Sequence, residues 1–235
     1  MSDESPKAVP AVHRREIRSF VRREGRMTDG QQRALAELWP RYGVEKPDAP
    51  LDLTQLFGRS APVVFEIGFG MGDYLLSRLN AEPERDFFGV EVHRPGVGRL
   101  LSRARAAGRD NLRVASDDAV AVLRDWLPEA CLDEIVIQFP DPWHKKRHHK
   151  RRLVQPEFAR LAVSRLKRGG LLSLATDWAE YAEHMLAVLN AEAGLRNDAD
   201  DGRYVPRPPA RLKTKFEQRG ERLGHAVFDL AYRRI

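Results

Sequence analysis

From Val63 onward, short apolar runs alternate with helical patterns. VVFEIG carries β-branched residues and precedes the helical spacing of Tyr74, Leu75, Leu76 and Leu79. FFGVEV (Phe87–Val92) reads as a second strand, followed by a helix near Gly98–Ala107 that Gly108 stops. NLRVAS is a third strand, followed by DAVAVLRDWL as a helix halted at Pro128. DEIVIQF is a fourth. PEFARLAVSRL then reads as a helix opened by Pro156, with Lys167–Gly170 as its cationic last turn and glycine stop. LLSLAT is a fifth strand, and AEYAEHMLAVLNAEAG is its helix. Continuous apolar strands separated by helices predict a parallel α/β sheet covered on both faces.

The flanks differ. Residues 1–26 are polar and basic and predict a disordered start followed by a basic arm. Asp29 with Gln32 resembles a capping box opening a short helix with Leu35, Leu38 and Trp39 on one side; Pro40 and Gly43 mark its end. RYVPRPPARLK reads as extended, TKFEQRGERLG as a short helix, and HAVFDLAY as a terminal strand, placed antiparallel at the sheet edge. The expected organisation is an arm and short helix over residues 1–60 and one sheet domain over 61–235.

Composition narrows the class. With 42% hydrophobic residues in 235, the chain can bury a core. No apolar run approaches the length of a membrane span, and the first residues lack the apolar segment of a secretory signal. A single cysteine, Cys131, excludes an internal disulfide framework, suits a reducing cytoplasm, and reads as a buried small hydrophobe. The net charge of +6 favours polyanionic partners. Eight of the 40 basic residues are Lys and 32 are Arg, as a GC-rich genome gives, so the total says little. Local clustering says more.

Three groups of residues close successive strands. Glu66-Ile-Gly68-Phe-Gly70-Met-Gly72 follows the first, where glycines permit a sharp turn and close ligand approach. Its G-x-G-x-G spacing departs from the dinucleotide fingerprint, and its acid suits a cationic ligand better than a pyrophosphate. This disfavours a nicotinamide dehydrogenase. Glu91 ends the second strand, as an acceptor for ribose hydroxyls or as a solvated strand-end acid. Asp118 follows the third, as an acceptor for the adenine amine or as an N-cap; Asp117 is the alternative cap. Together the three resemble the class I S-adenosylmethionine-dependent methyltransferases.

After the fourth strand comes FPDPWHKKRHHKRR (Phe139–Arg152). Two prolines stiffen the corner carrying Asp141. Trp143 either stacks on a base or packs under the loop. Residues His144–Arg152 hold six Lys or Arg and no acid, suited to tracking phosphates. His144, His148 and His149 lie inside this cationic run, where a metal would add repulsion, so no metal site is expected. A ring nitrogen such as guanine N7 carries no proton. Its methylation therefore asks for alignment and charge placement rather than a base.

RSFVRREGRMT, EIGFGMG, GVEVHRPGVG, FPDPWHKKRHHKRR, ATDW and TKFEQRGERLGH together resemble the bacterial tRNA (guanine-N7)-methyltransferases over nearly the whole chain. The resemblance implies a Rossmann-like class I fold: a mostly parallel seven-stranded sheet, helices on both faces and an antiparallel terminal strand. It also implies methyl transfer from S-adenosylmethionine to the guanine at position 46 in the variable loop of tRNA, in the cytoplasm. Glu66, Gly68, Gly70, Gly72, Glu91, Asp118 and Asp141 would meet the donor, and Asp141 would also be catalytic. Lys145, Asp177, Thr214, Lys215, Phe216 and Glu217 would bind substrate. Arg147, His148, Lys150, Arg151 and Arg152 would touch RNA. Lys146 and His149 receive no role. Asp177 with Glu180, and Thr214 with Glu217, also read as capping boxes, and spacing leaves both roles open. Monomer and homodimer remain equally open. A non-catalytic RNA-binding protein on the same fold is the competing reading.

Overall fold

The computed structural model describes residues 19–20, 25–208 and 226–235. The basic arm before Ser19, residues 21–24, and the TKFE segment with Thr214, Lys215, Phe216 and Glu217 lie outside them. Every residue of β1 (Val63–Ile67) is buried, and so is every residue of β2 (Asp86–Val90). Only a sheet covered on both sides buries both faces of its strands. Among the described residues seven strands form one sheet in the order β3-β2-β1-β4-β5-β7-β6. It adds β3 (Leu112–Ala115), β4 (Leu132–Gln138), β5 (Leu166–Thr176), β6 (Leu195–Asn197) and β7 (Phe228–Arg234). β1 to β5 pair in parallel, and β7 is antiparallel to both β5 and β6. The three-residue β6 therefore takes the edge expected for β7, which lies one strand in.

Alternate strand residues feed two cores. Phe65, Ile67, Phe88 and Ile137 face α6 (Pro156–Arg165) and α7 (Ala179–Asn190), with Phe65 and Phe88 edge to face at 5.5 Å. Val64, Phe87 and Val136 face α3 (Asp73–Ala81) and α4 (Arg94–Ala106). Leu38 and Tyr42 of α1 (Asp29–Tyr42) join this second core, and Val44 N–H donates to Val114 O beside β3. Among the described residues, no helix is long and apolar enough to cross a membrane.

Several local readings need correction. The cap of α1 is Thr28, paired reciprocally with Gln31, not Asp29 with Gln32. Pro40 lies inside α1 rather than ending it; Gly43 N–H closes the last turn on Trp39 O. α4 starts four residues earlier than expected, with Pro95 in its first turn. Its glycines mark close packing: a Cβ on Gly96 would lie 2.0 Å from Gly70 O, and one on Gly98 2.5 Å from Gln31 O. After a short α2 (Leu53–Phe57), the helix expected past β3 splits into α5 (Ala119–Ala121) and a π-turn (Val122–Trp126) that carries Trp126 into the core. Lys167–Gly170 do not finish α6. That helix ends at Arg165, and Leu166, buried opposite Leu132, already begins β5. Cys131 is half-buried, and burial pushes its thiol up to about 11.

Candidate active site

The strand order reverses direction between β1 and β4. In open parallel sheets a crevice forms there, beyond the carboxyl ends of the strands. The loops after β1 to β4 enclose a cavity of about 660 Å³ at this place. Ile67 and Gly68 contribute from β1, Glu91 and His93 from β2, Asp117 from the β3 loop, and Gln138 through Lys145 from β4. Ser19 and Phe20 of the N-terminal arm complete the wall.

The glycine turn is shaped for a ligand. Gly68 and Gly70 have φ of +70° and +56°, which a side chain rarely adopts, and a Cβ on either would meet nothing within 4 Å. That open cradle fits a group laid close against the backbone. Gly70 N–H donates to Glu91 Oε2 at 2.7 Å and His93 N–H to Glu91 Oε1 at 2.8 Å. The carboxylate is thus fixed in position, and each oxygen keeps a further lone pair for a hydroxyl. Gly72 does not face the cavity; it forms the backbone cap of α3.

Glu66 lies beneath the turn rather than on the cavity wall. It is 2% exposed, and its Oε2 has no hydrogen-bond partner among the described residues. Burial pushes its carboxyl up to about 8; the charge of Arg78 opposes this, and Glu134 and Glu91 add to it. A cation entering above the turn would favour the ionised form. Below Glu66, Arg78 makes two hydrogen bonds to Glu134, at 2.8 and 2.9 Å, and two to Glu82, at 2.7 and 2.8 Å.

Asp118 is the cap of α5: its carboxylate accepts from Val120 N–H at 2.9 Å. Its neighbour Asp117 turns to the cavity, while its Oδ1 accepts from Asp118 N–H at 2.7 Å. The sequence offers Asp117 only as a cap, whereas the structure sets it on the cavity wall. Two consecutive acids after a strand are the available signal.

Asp141 is exposed and lines the same cavity as Glu91 and Asp117. Its corner is strained: Phe139 and Trp143 both have positive φ, +51° and +48°, a region that bulky residues avoid. Trp143 packs in the loop, with the Arg151 guanidinium 4.6 Å from its ring centroid and His148 edge-on at 5.9 Å. The basic run continues as a 3₁₀ turn (Lys146–Arg151) in which Arg147 and Lys150, like Lys145 just before it, are exposed. Local desolvation and then the charges of Arg147, Arg151, Lys145 and Lys150 hold His148 below the usual imidazole range. Arg152 departs from its expected place on the RNA face: it is 2% exposed and points inward.

A second hollow, of about 480 Å³, adjoins α7 and includes Asp177, Trp178 and Phe228. His144 bridges toward it, its ring 4.3 Å from Trp178. The capping box expected of Asp177 and Glu180 does not form; Trp178 is the cap, its N–H donating to Thr176 Oγ1. Asp177 is thereby left beside the hollow.

The chain is 57% identical to a tRNA (guanine-N(7)-)-methyltransferase of Stutzerimonas stutzeri, with 100% of each chain covered. It is 59% identical to the protein of the same name from Ectopseudomonas mendocina, over 94% of this chain and 93% of that one. The chain belongs to the tRNA (guanine-N7)-methyltransferase family. Residues 60–230 match a family model described as a putative methyltransferase. Among solved structures, the 16S rRNA methyltransferase KamB is alike in fold, with a TM-score of 0.60 at 19% identity, covering 83% of this chain and 99% of that one. The part of the chain that the family model spans thus contains β1 to β6, the start of β7, the glycine turn and the Asp141 corner.

Proposed function

We propose that this protein is a cytoplasmic enzyme that methylates N7 of a guanine in tRNA, with S-adenosylmethionine as donor. The guanine at position 46 is the expected target. The observation that carries the reading is the pairing of one cavity with two surroundings. Its inner wall is acidic, through Glu91, Asp117 and Asp141, and its rim runs into exposed Lys145, Arg147 and Lys150. Acids suit a cationic donor, and cations suit a polyanionic acceptor.

When bound, S-adenosylmethionine supplies a methyl carbon on a cationic sulfur, which departs as a neutral thioether. The open cradle at Gly68 and Gly70 would hold its backbone-facing part, Glu91 its ribose hydroxyls, and Asp117 with Asp118 its adenine end. Asp141 would act at the junction with the acceptor. N7 forms its new bond from a free lone pair, so no proton has to leave. The positive charge moves onto the guanine ring, where the Asp141 carboxylate stabilises it. The prolines beside Asp141 hold that carboxylate in position before the reaction. Lys145, Arg147, His148, Lys150 and Arg151 would guide the phosphates, and Asp177 would meet the substrate from the second hollow.

The deciding experiment incubates unmodified tRNA with the protein and S-adenosylmethionine and analyses the nucleosides by mass spectrometry. The expected product is 7-methylguanosine. Only methyladenosine or methylcytidine, or tRNA binding without any methylation, would overturn the reading.

A further inference from the structure

Arg152 ends the cationic run, yet its side chain is 1% exposed and its guanidinium is engaged inside the fold. Nε donates to the main-chain oxygen of Pro142 at 2.9 Å. One terminal nitrogen lies 3.4 Å from Glu180 and 3.1 Å from His149 Nε2. The guanidinium carbon is 4.9 Å from the ring centroid of Tyr181. Tyr181 is itself fully buried on α7, and its hydroxyl accepts from Val154 N–H at 3.2 Å. Arg152 therefore ties the corner after β4 to the first turn of α7.

Its target peptide is the one that matters for the corner. The Pro142 carbonyl follows Asp141 and precedes Trp143, whose φ of +48° is strained. Such a conformation persists only where its surroundings over-determine it. Rotation of the Pro142–Trp143 peptide would relieve Trp143 and move Asp141, and the hydrogen bond from Arg152 opposes that rotation. A planar guanidinium offers several donors in fixed directions, so it can hold the carbonyl while meeting Glu180 and His149; an ammonium cannot reproduce that fork.

We propose that Arg152 is a positioning residue for methyl transfer, holding the Pro142 carbonyl so that Asp141 stays over the donor cavity, and that it does not contact RNA. This rests on the role proposed above for Asp141. It differs from the expectation that all of Arg147–Arg152 except His149 lies on the RNA track.

The test is single-turnover methyl transfer by Arg152→Lys and Arg152→Ala at saturating S-adenosylmethionine and tRNA. It runs beside tRNA affinity over a salt series and thermal unfolding. The expected result is a rate loss on the order of 10²-fold, as small misplacements of reacting groups give, with parent-like tRNA affinity and salt slope. Added methylguanidinium should partly restore Arg152→Ala and leave Arg152→Lys unmoved. A parent-like rate in folded Arg152→Lys would overturn the proposal. So would a loss expressed only as weaker tRNA binding with a flatter salt slope. If both variants fail to fold, Glu180→Ala decides, because it frees the guanidinium from its exposed partner. A several-fold slower single turnover supports the proposal and an unchanged one sinks it. Failure of the functional reading itself looks different, since the parent protein would then yield no 7-methylguanosine.

Discussion

The indole N–H of Trp143 donates to the main-chain oxygen of Ser19 at 3.1 Å, joining residues 124 positions apart in the sequence. The contact brings the N-terminal arm to the mouth of the cavity, where Phe20 becomes part of the wall. Trp143 is therefore held from both sides: Arg151 and His148 lie against its ring and Ser19 accepts from its edge. The corner that carries Asp141 is built from three separate stretches of chain.

Trp143→Phe keeps an aromatic ring and removes only the donor. A hydrogen bond of this kind is worth about 1 kcal/mol, or roughly 5-fold in binding. The variant is expected to unfold no more than about 2–4 °C below the parent and to show a KM for S-adenosylmethionine raised by about that factor. An unchanged KM would mean that the arm does not shape the donor cavity.

Glu66 links the site to stability through its proton. Its carboxyl is raised from 4.5 to about 8, chiefly by burial. Between those values the folded chain holds a proton that the unfolded chain has released, so stability is full below the lower value and falls as pH rises toward the upper one. Glu66→Gln should flatten this slope, gaining on the parent in unfolding temperature at about pH 9 and much less at about pH 4. A cationic donor should release a proton on binding near neutral pH, visible as a calorimetric heat that varies with buffer. Parallel stability profiles for parent and variant would exclude this role for Glu66.

Much of this was legible in the sequence because it follows from periodicity. β1 to β5 announce themselves as apolar runs, and the acids at their ends fall where a parallel sheet opens its crevice. The errors arose where tertiary packing overrides a local signal. The helix expected from Gly98 starts at Arg94, because Gly96 and Gly98 are the surfaces on which α4 touches the glycine turn and α1. Lys167–Gly170 looked like a helix stop but belong to β5, whose first residue, Leu166, is buried opposite Leu132. Within the site, sequence order could not say which of Asp117 and Asp118 caps and which faces the cavity. Nor could it show that the last arginine of a cationic run points inward, since one-dimensional clustering carries no direction.

The Arg78 network supports the floor under Glu66. Arg78 and Glu134 are each 7% exposed at the side chain and paired at 2.8 Å. Arg85 also reaches Glu134, at 2.9 Å, so removing Arg78 leaves Glu134 one cation, and the cost lies near the lower end of the about 3–5 kcal/mol typical of a broken buried pair. Arg78→Ala is expected to lose about that much in urea unfolding, whereas Arg78→Met with Glu134→Leu should lose far less. Equal losses in the single and double variants would show that the packing of Arg78 matters more than its charge.

Asp141 is exposed and can be changed without disturbing the core. Asp141→Ala is expected to lower single-turnover methyl transfer by at least about 10²-fold, the usual effect of removing a charge-stabilising group, with parent-like unfolding. Asp141→Asn separates charge from position: it keeps the shape and loses the carboxylate, so a rate close to that of the alanine variant assigns the effect to charge. A parent-like rate in the alanine variant would remove Asp141 from the chemistry.

The basic rim makes a prediction of opposite character. Lys145 at the cavity rim and Lys150 outside it are both exposed, so each would neutralise phosphate from solvent. Removing one cation that neutralises a phosphate reduces the slope of log affinity against log salt by about 1. Lys145→Ala and Lys150→Ala should therefore weaken tRNA binding most at low salt, flatten the slope by about that amount each, and leave the single-turnover rate at saturating tRNA nearly unchanged. Because the two lysines sit near opposite ends of a 3₁₀ turn, their effects on the slope should add in the double variant. Parent-like affinity and slope in both would place the RNA on another face of the protein.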